Sequence, residues 1–130
     1  MPTIYLSIFI KAPAERVFNL SRSITLHTSS MQHTGEVAVA GTTTGLIELN
    51  ETVTWKARHL FKTRLLQTKI TSMSPYTSFT DEQVKGDFEL MKHEHYFKPI
   101  ENGTIMIDQF RFEIGRGIAG KIVNAVFLEK

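Results

Sequence analysis

Two histidines stand two residues apart in the stretch Met91-Lys92-His93-Glu94-His95-Tyr96-Phe97. If this stretch is a β-strand, alternation sends Met91, His93, His95 and Phe97 to one face and Lys92, Glu94 and Tyr96 to the other. The second set suits water. The first places two imidazoles among apolar side chains. Imidazole titrates near neutral pH, takes part in hydrogen bonds from either nitrogen and ligates metals. Beside a carboxylate, such a pair can act as acid and base, orient a bound molecule, or form a two-histidine, one-carboxylate metal set. It can equally be a polar cluster satisfied by its own neighbours. The choice depends on which carboxylates the surrounding elements bring near.

The dipeptide Asn102-Gly103 is the strongest short hairpin signal in the chain. It predicts a two-residue type I′ turn joining a strand over 88–99 to one over 104–114. With Glu101 opposite Thr104, Glu94 faces Arg111 and Lys92 faces Glu113, two opposite-charge pairs on one face. On the other face His93 meets Phe112, His95 meets Phe110, Phe97 meets Asp108 and Met91 meets Ile114. Asp108 thereby joins His93 and His95 on the face that carries the aromatics, diagonal to His95. These three are the candidate catalytic residues. No serine or threonine stands in a nucleophile-elbow motif.

The rest of the chain must build the wall behind them. Its 130 residues suit one domain, read as 1–130, and 42% hydrophobic with 22% charged residues marks a soluble globular protein. The net charge is +2 with the basic residues scattered, which argues against a nucleic-acid partner. There is no cysteine, so disulfides, thiol catalysis and thiolate metal sites are excluded, and a cytoplasmic location is the expectation. No apolar run approaches the roughly 20 residues of a membrane-spanning helix. The apolar N-terminal patch is patterned as a strand, too short and without the basic leader of a signal peptide.

A first strand is predicted over 3–10. Ala12-Pro13-Ala14-Glu15 then starts a helix, with proline at its first position and Val17, Phe18 and Leu20 on its apolar side. A second short helix follows over 23–30, and 32–44 carries no clear pattern. Strands are predicted over 52–58, 64–72 and 79–85, before the hairpin. After Gly115-Arg116-Gly117, which bends the chain, Ile118, Ile122 and Val126 with Ala119, Val123 and Phe127 mark one side of a helix. That helix is still amphipathic at Lys130, the pattern of a longer element. The class is α+β: an antiparallel sheet whose apolar face needs covering, with the last helix as the lid.

The stretches "IKAPAERVF", "ETVTWKARH", "SPYTSFTDEQVKGDF", "KHEHYF", "GTIMIDQFRFEI" and "GRGIAGKI" resemble the START and polyketide cyclase/dehydrase superfamily, also called SRPBCC, with its helix-grip fold. The resemblance covers nearly the whole chain and is nearest to small bacterial members labelled cyclase/dehydrase-like or cell-division inhibitors. It implies a curved antiparallel sheet wrapped around a C-terminal helix, with two short helices after the first strand and a cavity between sheet and last helix. Family members range from lipid binders to cyclases, so fold does not select the function.

Given such a cavity, the inward positions are its expected ligand contacts: Trp55, Leu66, Phe79, Asp81, Gln83, Met91, His93, His95, Phe97, Asp108 and Phe110, with Ile70 on the same face. The expected ligand is a small hydrophobic or lipid-like molecule. A cyclase or dehydratase acting on an aromatic or polyketide-like substrate is the alternative, and a protein-interaction domain with a filled cavity is a third, so catalysis stays open. No cofactor and no metal are expected, and a homodimer is an admissible assembly. His27, His33 and His59 read as surface or helix-end residues without a role. Asn102-Gly103-Thr104 matches a glycosylation sequon but reads as the turn alone.

Overall fold

The first strand, β1 (Thr3–Ile10), leads into Pro13, whose fixed φ of −62° positions it as the cap immediately before helix α1 (Ala14–Ser21). Glu15 lies in the first turn, where its charge complements the helix dipole, and Val17 and Phe18 are the buried face. Ser23 caps the next helix, α2 (Ile24–Ser30), by accepting a hydrogen bond from the Leu26 amide at 3.1 Å. A single 3-10 turn follows at Gln32–Thr34. Among the described residues six more strands follow: β2 (Val37–Gly41), β3 (Thr52–His59), β4 (Lys62–Ser74), β5 (Ser78–Lys85), β6 (Phe88–Ile100) and β7 (Gly103–Ile114). This computed structural model describes residues 2–59 and 62–114, with the side chains of 33, 58, 59 and 62 left aside. The helix expected over 118–127 lies outside the described residues.

All strand pairs are antiparallel, in one seven-stranded sheet of order β1-β7-β6-β5-β4-β3-β2. Strand β2 falls in the region that showed no pattern in the sequence. It is five residues of Val, Ala and Gly whose register against β3 shifts between Ala38 and Ala40. Such a bulge breaks strict alternation. Gly41 has φ of 74°, and an added Cβ there would collide with the Thr52 carbonyl oxygen. Gly41→Ala is therefore expected to cost about 2 kcal/mol in denaturant unfolding, since it adds backbone strain to a clash. A change of a few tenths or less would mean that β2 is not held in this register.

The β6–β7 register differs from the expectation by two residues. Ile100 pairs with Gly103, so the turn residues are Glu101 and Asn102, and Asn102 alone takes a positive φ, 67°. A type I′ turn needs two such residues. Asparagine tolerates the left-handed region. Gly103 serves packing instead: it opens β7 where a Cβ would run into the Ile10 carbonyl oxygen and the Phe9 ring. His93 is consequently opposite Phe110, His95 opposite Asp108, Met91 opposite Phe112 and Phe97 opposite Met106. The expected charge pairs are not directly opposed: Glu94 faces Gln109, Lys92 faces Arg111, and Arg111 reaches Glu94 diagonally at 3.7 Å. A slip by an even number leaves every side chain on its face.

Two apolar clusters cover the inner face. One joins Val17, Phe18 and Ile24 from the helices with Ile47, Val53, Ile70, Phe79 and Phe97. The other holds Phe88, Met91, Phe110 and Phe112. Along β6, Phe97 belongs to the first and Met91 to the second. His93 and His95 occupy the gap between them.

Candidate functional site

A cavity of about 490 Å³ opens on the inner face of the sheet, beneath the α1–α2 junction. Of the residues expected to face a ligand, Trp55, Leu66, Phe79, Asp81, Met91, His93, His95, Asp108 and Phe110 border it, as does Ile70. Gln83 and Phe97 do not border it. Gln83 is inward by alternation but sits at the end of β5, where its amide donates to the Phe88 carbonyl at 2.7 Å and accepts from the Phe88 N–H at 3.3 Å. It braces the β5–β6 turn. Phe97 lies under α1, its ring edge-on to Phe18 at 5.4 Å, so the helix covers the position before the cavity reaches it.

The opposite wall comes from residues that sequence reasoning left aside. Arg22, Ser23 and Ile24 at the helix junction, His27 on α2, Glu36 before β2 and Ile47 after it all border the cavity. His27, expected to have no role, pairs its Nε2 with Glu36 at 2.7 Å and rests against Trp55 at 4.3 Å between ring centres. Arg22 bonds the Ile47 carbonyl and Glu48, tying the α1–α2 junction to the segment before β3. No local pattern announces these contacts, because they arise where two short helices fold back over the sheet. The capping serine at 23 was the nearest available signal.

Strand pairing explains the polar group on the sheet side. His93 and His95 alternate onto one face of β6. β5 sets Asp81 opposite His93, and β7 sets Asp108 opposite His95. His95 Nε2 lies 2.8 Å from Asp81 Oδ2, and its Nδ1 lies 3.0 Å from Asp108 Oδ1. His93 Nε2 approaches the same Asp108 oxygen at 3.3 Å. The His95 ring is also stacked between Phe79, at 4.1 Å, and His93, at 3.8 Å. Edges and faces are all occupied.

A neutral imidazole has one N–H to donate, whereas His95 meets a carboxylate at each nitrogen. The imidazolium satisfies both. Burial works against that charge and lowers the pKa. The hydrogen bonds to Asp108 and Asp81, with their negative charges, outweigh it and push His95 up to about 9. For Asp108 burial favours the neutral acid, but the hydrogen bonds from His93 and His95 and their charges prevail, holding the carboxyl well below the usual range. The chain Asp81–His95–Asp108–His93 is thus a clamped, charge-bearing array in an otherwise mainly apolar wall. At neutral pH His95 keeps its proton and gives both N–H groups to the two carboxylates, so it is ill suited to remove a proton from a bound molecule.

No family model and no curated protein matches the chain. Solved structures do. Ara h 8.0201 superposes with a TM-score of 0.69 at 14% identity, covering 95% of this chain and 85% of the other. Protein Ms6760 from Mycobacterium smegmatis gives 0.68 at 14% identity, over 98% and 82% of the two chains. Ginseng major latex-like protein 151, from Panax ginseng, gives 0.62 at 12%, over 87% and 79%. The likeness extends to fold: a curved seven-stranded antiparallel sheet with two short helices, the α+β helix-grip arrangement seen in Bet v 1-like proteins. Among the described residues no helix is long and apolar enough to cross a membrane.

Proposed function

We propose that the chain, 1–130, is one domain that binds a small, largely apolar molecule in this cavity, with a polar group of that molecule placed against the Asp81–His95–Asp108–His93 array. The observation that carries the reading is the cavity itself, about 490 Å³ and walled by Trp55, Leu66, Ile70, Phe79, Met91 and Phe110 around one polar cluster. Small-molecule sites have this size and this makeup: apolar walls with a few placed polar groups. The array is held in place whether or not a ligand is present, since each member already has partners. Preorganisation of that kind lowers the ordering cost of binding.

Cyclisation or dehydration of an aromatic or polyketide-like substrate is the weaker reading. General-base chemistry works best with a group that titrates near the working pH, and His95 is held protonated up to about 9. A pure protein-interaction domain would have filled its cavity.

Titration with anilinonaphthalene sulfonate tests the proposal. Trp55, the sole tryptophan, borders the cavity, so its emission is expected to change saturably as one probe binds per chain. Leu66→Trp, which fills part of the cavity, is expected to weaken binding at least tenfold with the fold intact. A folded protein that binds no probe saturably, or binds it equally well after Leu66→Trp, would count decisively against a ligand cavity. Native mass spectrometry of the gently purified protein then addresses the natural ligand, as an added mass released on denaturation.

A further inference from the structure

The geometry points to a metal site in the cavity wall: Asp81, His93 and His95 bind one divalent transition-metal ion, with Asp108 behind His95 fixing the orientation of its ring. Among the described residues these are the only three side chains of ligating type whose donor atoms gather so closely, one from each within 4.8 Å of the others. The backbone causes this. Histidines at i and i+2 share a face of β6, and the β5 pairing puts Asp81 directly beside His93. His27 and Glu36 across the cavity supply only a pair.

The donor chemistry is that of zinc or ferrous iron and their neighbours. Two imidazoles and one carboxylate, with no thiolate, suit intermediate divalent ions, and three protein ligands leave positions open toward the cavity for water or a bound molecule. His95 already has the arrangement of a ligating histidine. Its Nε2 faces Asp81, while its Nδ1 is held by Asp108 at 3.0 Å, so a carboxylate behind the ring sets which nitrogen is presented. Charge agrees as well: the two carboxylates of Asp81 and Asp108 balance a divalent ion and leave the mostly apolar wall without net charge. Donors each about 2.1 Å from one ion stand roughly 3 to 4.2 Å apart, so the ion opens the 2.8 Å contact between His95 Nε2 and Asp81 Oδ2 while the three donors, within 4.8 Å of one another, close around it by side-chain rotation. The ion displaces the proton that His95 Nε2 otherwise gives to Asp81, so affinity rises with pH and falls as protons compete.

The site goes beyond the ligand reading, and its test needs no organic molecule. Protein stripped with chelator is titrated with zinc chloride by calorimetry and with cobalt chloride in the visible and by NMR. One ion per chain is expected, with cobalt absorption bands of a four- or five-coordinate site. Paramagnetic broadening should be strongest at the imidazole signals of His93 and His95. His93→Ala and Asp81→Ala are expected to weaken zinc binding at least a hundredfold. Asp108→Asn is expected to weaken it roughly 10- to 100-fold while keeping one ion per chain, as loss of an outer carboxylate does. No saturable binding at one ion per chain would overturn the site. So would zinc binding by folded His93→Ala that equals wild type, or broadening centred on other histidines. The NMR arm uses the unmodified chain, so a variant that fails to fold leaves the question decidable. Probe titration of the stripped protein addresses the cavity separately.

Discussion

Phe18→Ala is expected to lower the unfolding free energy by about 4 kcal/mol, the largest single-residue effect foreseen here. Phe18 is completely buried, at 0% exposure. Its ring is edge-on to Phe79 at 5.5 Å, to Phe97 at 5.4 Å and to Tyr76 at 5.5 Å. Those partners belong to β5, β6 and the turn between β4 and β5. One side chain thus fastens α1 to the middle of the sheet. Truncation removes apolar contact and leaves a cavity that the flanking aromatics, held by two strands and a tight turn, cannot close. Urea unfolding should show a shifted midpoint with an unchanged slope. A loss below about 1 kcal/mol would mean that α1 is not seated on the sheet as described. The effect should also reach the site, because Phe79 is the face on which the His95 ring is stacked. Phe18→Ala should therefore weaken dye binding in molecules that are still folded, while Phe18→Leu, which keeps most of the volume, should retain both properties more nearly.

How far the sequence discloses this arrangement depends on which physical signal each element carries. Strands over 3–10, 52–59 and 78–85 announce themselves by β-branched and aromatic content between turn residues, and the helices at 14–21 and 24–30 by proline and serine at their starts. β2 is silent because it is short, built of small residues and bulged. The hairpin was legible to within a face but not to a pair. Asn102-Gly103 signals a turn, yet the same two residues can place the turn one position earlier when glycine is needed to let β1 approach. That choice depends on a third strand distant in sequence. His93, His95 and Asp108 were legible as neighbours because their shared face survives a two-residue slip. The direct opposition of His95 and Asp108 was not legible, and it is this that closes the clamp. Asp81 was placed on the right face by alternation alone. Arg22, His27 and Glu36 belong to tertiary contacts between short helices and the sheet, for which a local pattern carries no signal. Gln83 and Phe97 show the limit of alternation: it selects a face, while the covering elements decide which part of that face stays open.

In the chelator-treated protein, the His95 clamp should make stability decline toward alkaline pH. The folded state holds the His95 proton more tightly than the unfolded chain, about 9 against an ordinary value of 6.5. Its contribution is therefore complete below pH 6.5 and fades as pH rises through about 9. Asp108 works in the opposite sense. Its carboxyl is lowered from the ordinary 3.8, so its contribution is present above that value and is lost as acid protonates the folded carboxylate. Together they predict a plateau between pH about 4 and 6.5 with loss on both sides. The groups facing His95 are Asp81, Asp108, His93 and the Phe79 ring, and its side chain is only 13% exposed, so solvent screens the interaction little. The gap between about 9 and 6.5 corresponds to roughly 3 kcal/mol over the alkaline limb. Asp108→Ala should remove most of that limb and itself cost about 3 kcal/mol at pH 6, since it leaves a buried cation short of one partner. His95→Gln should flatten the limb without leaving a charge behind. Urea unfolding of wild type and both variants from pH 5 to 9.5 measures this, and the difference between wild type and His95→Gln isolates the site from the rest of the surface. Nitrogen-15 spectra offer an independent reading, in which both His95 ring nitrogens should be protonated at pH 7.5. A wild-type stability that is flat or rising from pH 6.5 to 9, with a single protonated nitrogen on His95, would mean that the two carboxylates do not grip this ring.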